Sequence, residues 1–263
     1  MIGSLLGLGR DLRDTDPAIW THAGQGAGWE SGLAIELFDL AGADPDRRFS
    51  PYCWRIKLAL HHKGLEYKSV PWRFTEKAAI SASGQGKVPV IVDGEWVVSD
   101  SWRIARFLDE QYPEKPGLLG GDAARASAVF VRAWAEQEIS PLIARCVMAD
   151  VYTHLHESDR EYFRTSREAR VGQTLEEFCA DRETARTQLR RELEPLRCTL
   201  GEQPFLGGVR PMFTDYMVFG FFQWARCVSP FRLLEKDDAV AEWRGRMLEL
   251  YSGLARNALG YPV

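Results

Sequence analysis

Residues 50–64 read SPYCWRIKLALHHKG, and this stretch carries signals for both ends of a helix. Ser50 is a favoured N-cap residue, and Pro51 suits the first helical position because the N–H that proline lacks would have no partner there. Gly64 is a typical helix terminator, and the residues before it are basic, as the C-terminal end of a helix dipole prefers. The stretch therefore predicts one helix that begins after Ser50 and ends at Gly64.

The segments on either side of this helix resemble strands. Residues 33–40 (LAIELFDL) are apolar enough for a buried strand, and residues 65–72 (LEYKSVPW) form a second run of this kind. A strand, a helix and a strand in this order predict a right-handed parallel crossover.

A hairpin is the next predicted element. Residues 88–98 (VPVIVDGEWVV) place Asp93-Gly94 between two β-rich runs, which is a strong hairpin signal. Pro89 is out of place inside a strand because it donates nothing to the ladder, so we expect it at an edge or in a special geometry such as a cis bond. A helix over residues 101–111 closes this unit.

Beyond a Pro- and Gly-rich linker at residues 112–121, the strand signals vanish. The sequence predicts three parts: a flexible N-terminal extension (1–31), an α/β domain (32–112) and an all-helical C-terminal domain (122–263). Within the last part, the segments compatible with helix are 122–149, 158–170, 175–200, 214–227 and 238–256.

Composition excludes several classes of function. The 263 residues carry a net charge of −4 without a long basic stretch, so we expect no nucleic-acid partner. We also expect neither a membrane span nor a secretory signal. The five cysteines lack C-x-x-C spacing, and His61-His62 and His154-x-His156 lack a third ligand, so we expect free thiols, no metal and a cytoplasmic location.

The candidate chemistry lies at one edge of the α/β domain. The helix at Ser50 and the helix beginning at Asp100-Ser101 each present free N–H groups and a positive dipole end, which suit anions. Val88, before Pro89, offers backbone groups that can pair with an extended peptide. A ligand with a thiol, an extended peptide backbone and a free carboxylate fits all of these features, and glutathione is such a molecule.

Four motifs then resemble the glutathione S-transferase superfamily over residues 33 to about 260. They are SPYCWRIKLALHHKG (50–64), GKVPVIV (86–92), DSWRIARFLDEQYP (100–113) and PFLGGVRPMFTDY (204–216). More narrowly, the first motif and DGEWVVSDSW (93–102) resemble the bacterial β-aryl-etherases and their fungal etherase-like relatives. The resemblance implies a thioredoxin-like N-terminal domain, an all-helical C-terminal domain and a homodimer.

The resemblance also implies roles for individual residues. Ser50 matches the catalytic position and would donate a hydrogen bond to the glutathione sulfur, which favours the thiolate. Val88, before a cis Pro89, would pair with the cysteinyl backbone. The γ-glutamyl ammonium would be held by Asp100 and its carboxylate by Ser101. Lys87 would reach the glycyl carboxylate, which completes the glutathione-binding set.

The residues near Ser50 leave alternatives open. A glutaredoxin-like site would read C-P-Y-C, but here only Cys53 remains, so disulfide exchange through a leading thiol is lost. Cys53 is interpreted as a small apolar residue, although its place in the first helical turn could lower its pKa, and Trp54 joins it as a candidate accessory residue.

The predicted function is attack of a glutathione thiolate on a small hydrophobic aromatic electrophile, including a β-aryl ether. The alternatives are a broader conjugating or peroxidase-type transferase and a non-catalytic binding module on the same fold.

One motif departs from the family pattern. Most relatives carry a Ser, Thr or Asn cap three residues before the aspartate of the last motif, where this chain has Met212 before Asp215. Half of the capping box is therefore missing, and Thr214 is an alternative cap for a shorter helix.

Overall fold

A computed structural model describes residues 34–263 and the backbone of residues 21–22. Within these residues the sheet has five strands in the order β1-β5-β4-β2-β3. β2 and β3 are parallel, and every other neighbouring pair is antiparallel. The strands are β1 (Thr21–His22), β2 (Ile35–Leu40), β3 (Tyr67–Trp72), β4 (Val90–Asp93) and β5 (Trp96–Ser99).

Helix α1 (Pro51–Lys63) connects the two parallel strands and has the predicted caps. The Ser50 side chain accepts a hydrogen bond from the Cys53 backbone N–H at 3.2 Å. Gly64 ends the helix with φ at 64°, a left-handed conformation that glycine adopts without steric cost. The predicted strand–helix–strand unit is confirmed.

The hairpin and the second helix also follow the prediction. The Val88–Pro89 peptide bond is cis and lies directly before β4. Gly94, with φ at 57°, provides the turn between β4 and β5. Helix α2 (Ser101–Gln111) begins immediately after the Asp100 N-cap. The elements of the thioredoxin-like N-terminal unit after residue 34 thus end before residue 112. Two residues of the extension predicted to be flexible (1–31) form β1, which pairs with β5, and the rest of the extension lies outside the described residues.

The rest of the chain is helical, in agreement with the predicted fold class. A π-helical stretch (Ala135–Ile139) separates the first two helices of this unit. None of the helices in residues 34–263 combines the length and apolar character that a bilayer crossing needs. The helices are α3 (Gly121–Trp134), α4 (Ser140–Thr153), α5 (Glu157–Val171), α6 (Leu175–Phe178), α7 (Arg182–Glu192), α8 (Glu194–Glu202), α9 (Phe213–Val228) and α10 (Ala239–Gly253).

Residues 175–200, predicted to be compatible with helix, are mostly helical and divide into α6, α7 and α8. Thr174 and Glu177 form a capping box that begins the four-residue α6. Asp181 caps α7 by accepting the Thr184 N–H. Pro195 lies in the first turn of α8, where its missing N–H costs nothing.

Asp215 organises the start of α9 without help from a hydroxyl cap. Its buried carboxylate accepts the backbone N–H groups of Leu206, Gly207 and Met212 and the indole N–H of Trp243, all at 2.8–3.0 Å. The suggestion that Thr214 caps a shorter helix is wrong, because α9 begins at residue 213 and the Thr214 hydroxyl has no partner among the described residues.

Helices α1 and α9 join the two halves of the molecule. A Cβ atom on Gly220 would lie 2.4 Å from the Pro51 carbonyl oxygen, so the backbones approach too closely for any side chain there. This contact fixes the start of α1, and therefore Ser50, against the helical unit.

Candidate functional site

A cavity that is partly open to solvent lies between the N-terminal unit and the helices. The six residues predicted to bind glutathione all line it: Ser50, Lys87, Val88, Pro89, Asp100 and Ser101. The structure brings these residues together although they come from three separate elements.

Ser50 is buried and its hydroxyl is oriented by the start of α1. Its oxygen accepts the Cys53 N–H, so one lone pair is occupied while the O–H can still donate. The positive end of the helix dipole lies at the same point. A thiolate that enters the cavity beside Ser50 would therefore meet a hydrogen-bond donor and a favourable field.

Asp100 has an unusual backbone conformation, with φ at 78°. For a residue other than glycine this conformation is strained, and such strain is concentrated at functional sites. Two contacts hold it: the Asp100 N–H donates to the Pro89 carbonyl at 3.3 Å, and the carboxylate accepts the Arg103 N–H at 3.2 Å. The strained residue is thereby connected to the cis-proline segment of the same cavity.

Arg55 lies behind the cavity wall, in contact with Ser101, and the sequence reading missed it. It is almost fully buried, and its Nη1 donates to the Ser101 hydroxyl at 3.4 Å and to Glu136 at 3.0 Å. Its guanidinium also lies over the ring of Tyr52, 4.4 Å from the centroid. Arg55 therefore contacts the start of α2 through Ser101 and connects it to the helical unit through Glu136.

Neither accessory candidate reaches the cavity. Cys53 is completely buried, its thiol points to the Phe38 carbonyl at 3.8 Å, and burial raises its pKa instead of lowering it. Trp54 is also buried and donates its indole N–H to the Arg48 carbonyl at 2.8 Å. Both side chains belong to the core and do not contact the cavity, so the structure gives no support to the accessory role expected for them.

The remaining wall of the cavity is aromatic and basic. Helix α5 supplies two arginines to it, Arg167 and Arg170. The sequence reading missed this wall because its members are scattered along the chain and form no motif. Its apolar members are Phe49, Tyr52, Trp72, Phe74, Met148, Val151, Phe163 and Trp224.

A buried aspartate fastens α5 to the N-terminal unit. The carboxylate of Asp159 accepts the Phe74 N–H at 3.1 Å, the Thr75 N–H at 3.0 Å and the Thr75 hydroxyl at 2.8 Å. The loop after β3 and the helix that carries both arginines are therefore held at a fixed distance from each other.

Comparison with known proteins agrees with this arrangement. A profile described as glutathione S-transferase, N-terminal domain, matches residues 45–116. A second, described as glutathione S-transferase, C-terminal domain, matches residues 126–252. Together they span well over half of the chain, so this protein belongs to the glutathione S-transferase superfamily.

Individual relatives match this chain over shorter stretches than the two family profiles do. A zeta-class glutathione S-transferase of Euphorbia esula is 42% identical over 71 residues, which is 25% of this chain and 31% of that protein. The sequence match thus spans about a third of the length of that relative.

Two fungal crystal structures match over more of the chain. Glutathione transferase GSTFuA3 of Phanerochaete chrysosporium is 26% identical with a TM-score of 0.68, and the match covers 84% of this chain and 92% of that one. CsGST63524 of Ceriporiopsis subvermispora, solved in complex with glutathione, is 25% identical with a TM-score of 0.67 over the same shares.

Proposed function

We propose that this protein is an active glutathione S-transferase that directs a glutathione thiolate at an electrophilic aromatic substrate. The observation that carries the proposal is the shared cavity, in which Ser50, the cis Val88–Pro89 segment and the Asp100–Ser101 helix start lie together beside an aromatic wall.

The thiol group is the centre of the proposed chemistry. A free thiol has a pKa near ~8.5 and is mostly protonated at neutral pH. A hydrogen bond from Ser50 to the sulfur, at the N-terminus of α1, would favour the thiolate. The protein then contributes by stabilising the nucleophile and by holding both reactants in position.

Recognition of the tripeptide would involve the rest of the set. Val88 pairs its backbone with the cysteinyl residue, as extended peptides pair with strand edges. Asp100 holds the γ-glutamyl ammonium, while Ser101 and the N-terminus of α2 hold the carboxylate. Lys87 is assigned to the glycyl carboxylate.

The substrate proposed in most detail is a β-aryl ether. The thiolate attacks the carbon next to a ketone, a C–S bond forms, and the C–O bond breaks with its electrons leaving on the phenolate, which takes a proton from water. The aromatic wall of the cavity supports a substrate with ring systems. A broader conjugating or peroxidase-type activity uses the same thiolate with another electrophile.

Three further features belong to the proposal. We expect a homodimer and a cytoplasmic location, and we place the boundary between the glutathione-binding domain (32–112) and the helical domain (122–263) at the linker between α2 and α3.

The test is phenol release from a β-O-4 aryl-ether ketone, with and without glutathione. We expect release that depends on glutathione and falls sharply in Ser50→Ala but not in Ser81→Ala, because Ser81 is exposed and lies outside the cavity. Equal release by both variants would overturn the role of Ser50. Binding of glutathione without release would indicate another electrophile, and no binding would indicate a non-catalytic module.

A further inference from the structure

The cavity has a basic wall that the proposed glutathione contacts leave unused. Arg167 and Arg170 lie three residues apart on α5, so they share one face of the helix, and both line the cavity. The Arg167 guanidinium lies over the rings of Phe74 and Phe163, 4.9 and 4.8 Å from their centroids. A cation is thus embedded in the aromatic surface that faces the second substrate.

Within residues 34–263, Arg167 forms no salt bridge with a carboxylate, and its charge is met by the Tyr162 hydroxyl. Its Nη1 donates to the Ser166 hydroxyl at 2.8 Å, and its buried Nε has no partner in residues 34–263. Burial, reinforced by the charge of Arg170, lowers the pKa of Arg167 to about 10. The Tyr162 hydroxyl opposes this shift through its charge and a hydrogen bond, and the group remains a cation at neutral pH.

The neighbours of this pair add to the positive field. Burial lowers the pKa of Arg170 as well. Lys77 donates to the Tyr162 hydroxyl at 3.2 Å; burial opposes ionisation of that phenol, but Lys77 and Arg167 outweigh it and lower the pKa of Tyr162. Among the described residues that line the cavity, Asp100 is the sole acid, and it is assigned to glutathione.

Arg167 and Arg170 are both partly buried and carry like charges, so they repel each other, and an anion between them would relieve that repulsion. Guanidinium groups bind carboxylates through paired N–H donors, and the aromatic surface around Arg167 would stack with a ring. The site therefore has the chemistry for an aromatic ring and a carboxylate on the same molecule.

We propose that the second substrate is an aromatic electrophile that carries a carboxylate, which Arg167 binds with Arg170. The proposal rests on the proposed transferase function and specifies its substrate class. Glutathione brings two carboxylates of its own into the cavity. The γ-glutamyl one is assigned to Ser101, so the glycyl one is the competing ligand for these arginines, and the experiment separates it from the substrate carboxylate.

The experiment compares 4-chloro-3,5-dinitrobenzoate with its methyl ester, which differ in charge but share the ring and leaving group. In both reactions the thiolate attacks the carbon that bears chlorine, a C–S bond forms, and chloride leaves with the C–Cl electron pair. KM is measured for each electrophile and for glutathione, with the uncatalysed rate subtracted. The variants are Arg167→Met, the charge-conserving Arg167→Lys, and Arg160→Met as a control at an exposed position on the same helix.

Arg167→Met should raise KM for the acid by about 10- to 100-fold, because it removes a hydrogen bond between two charged groups. KM for the ester should rise by less than about twofold. Arg167→Lys should retain much of the affinity for the acid, and Arg160→Met should resemble the wild type. Equal effects on acid and ester would overturn the proposal. A rise confined to KM for glutathione would overturn it too and would assign the arginines to the glycyl carboxylate.

A binding measurement tests the carboxylate site even if the protein does not catalyse transfer. Calorimetric titration with 3,5-dinitrobenzoate and its methyl ester, in the presence of glutathione, requires no turnover. Tighter binding of the acid that disappears in Arg167→Met supports the carboxylate site even if neither chloride is displaced. Equal binding of acid and ester by the wild type overturns it.

Discussion

Replacement of Ser50 by Ala should shift the pH dependence of catalysis. A hydrogen bond to a charged group is worth about 1.5–3 kcal/mol, and one pKa unit corresponds to about 1.36 kcal/mol. Loss of the Ser50 hydroxyl should therefore raise the pKa of bound glutathione by about one to two units, back towards the ~8.5 of a free thiol. The acidic limb of the kcat/KM profile should move upward by the same amount.

Because Ser50→Ala should raise the pKa of bound glutathione, the variant and the wild type should differ most at low pH. At pH near ~6.5 the thiolate fraction should fall about 10- to 50-fold, whereas at pH near ~9.5 wild type and variant are both almost fully ionised. The assay is conjugation of 1-chloro-2,4-dinitrobenzene across this range, together with ultraviolet absorbance of the bound thiolate. A variant whose profile falls by a constant factor at every pH would refute the reasoning, because Ser50 would then act by positioning alone.

Ser50 also caps α1, so the two roles must be separated. The Cys53 N–H loses its acceptor in Ser50→Ala, which should cost about 1 kcal/mol of unfolding free energy, whereas glycine at an N-cap costs only a few tenths. Ser50→Gly should therefore show the same shift of the acidic limb with a smaller change in the urea midpoint. If the shift followed stability instead of the hydroxyl, the assignment would be wrong.

The other perturbations address recognition and folding. Asp100→Asn keeps a side chain that can cap α2 but removes the charge, so KM for glutathione should rise about 10-fold while the urea midpoint stays unchanged. Gly220→Ala forces a Cβ atom against the Pro51 carbonyl and should lower the free energy of unfolding by about 1–3 kcal/mol, as urea titration will show. Asp215→Ala leaves four N–H donors without their acceptor and should cost at least about 3 kcal/mol, measured in the same way. Burial lowers the pKa of His62, so the folded protein protonates this ring at a lower pH than the unfolded chain, which binds a proton near ~6.5. Its contribution to stability is thus present above that pH and lost as the pH falls below it, and His62→Asn should flatten the decline of the urea midpoint between pH ~7.5 and ~5.5.

The N-terminal unit could be predicted from sequence because its signals are local. The caps of α1 and the turn at Gly94 depend on residues a few positions apart. The predicted glutathione-binding residues also lie within one short region of the chain, between Ser50 and Ser101, so a motif reading collects them. The reading of residues 175–200 as compatible with helix left out local signals that divide this segment: Thr174 with Glu177 begins α6, and Pro195 lies in the first turn of α8.

The second half of the cavity depends on a contact that no local pattern encodes. The sequence marks residues 158–170 only as compatible with helix, yet Asp159 in that segment is completely buried. A buried carboxylate requires hydrogen-bond donors, and Asp159 obtains them from Phe74 and Thr75, more than eighty residues earlier in the chain. That requirement holds α5 against the glutathione-binding unit and brings Arg167 to the cavity. The substrate preference that we propose therefore rests on a pairing between the two units, whereas thiolate formation rests on the start of a single helix.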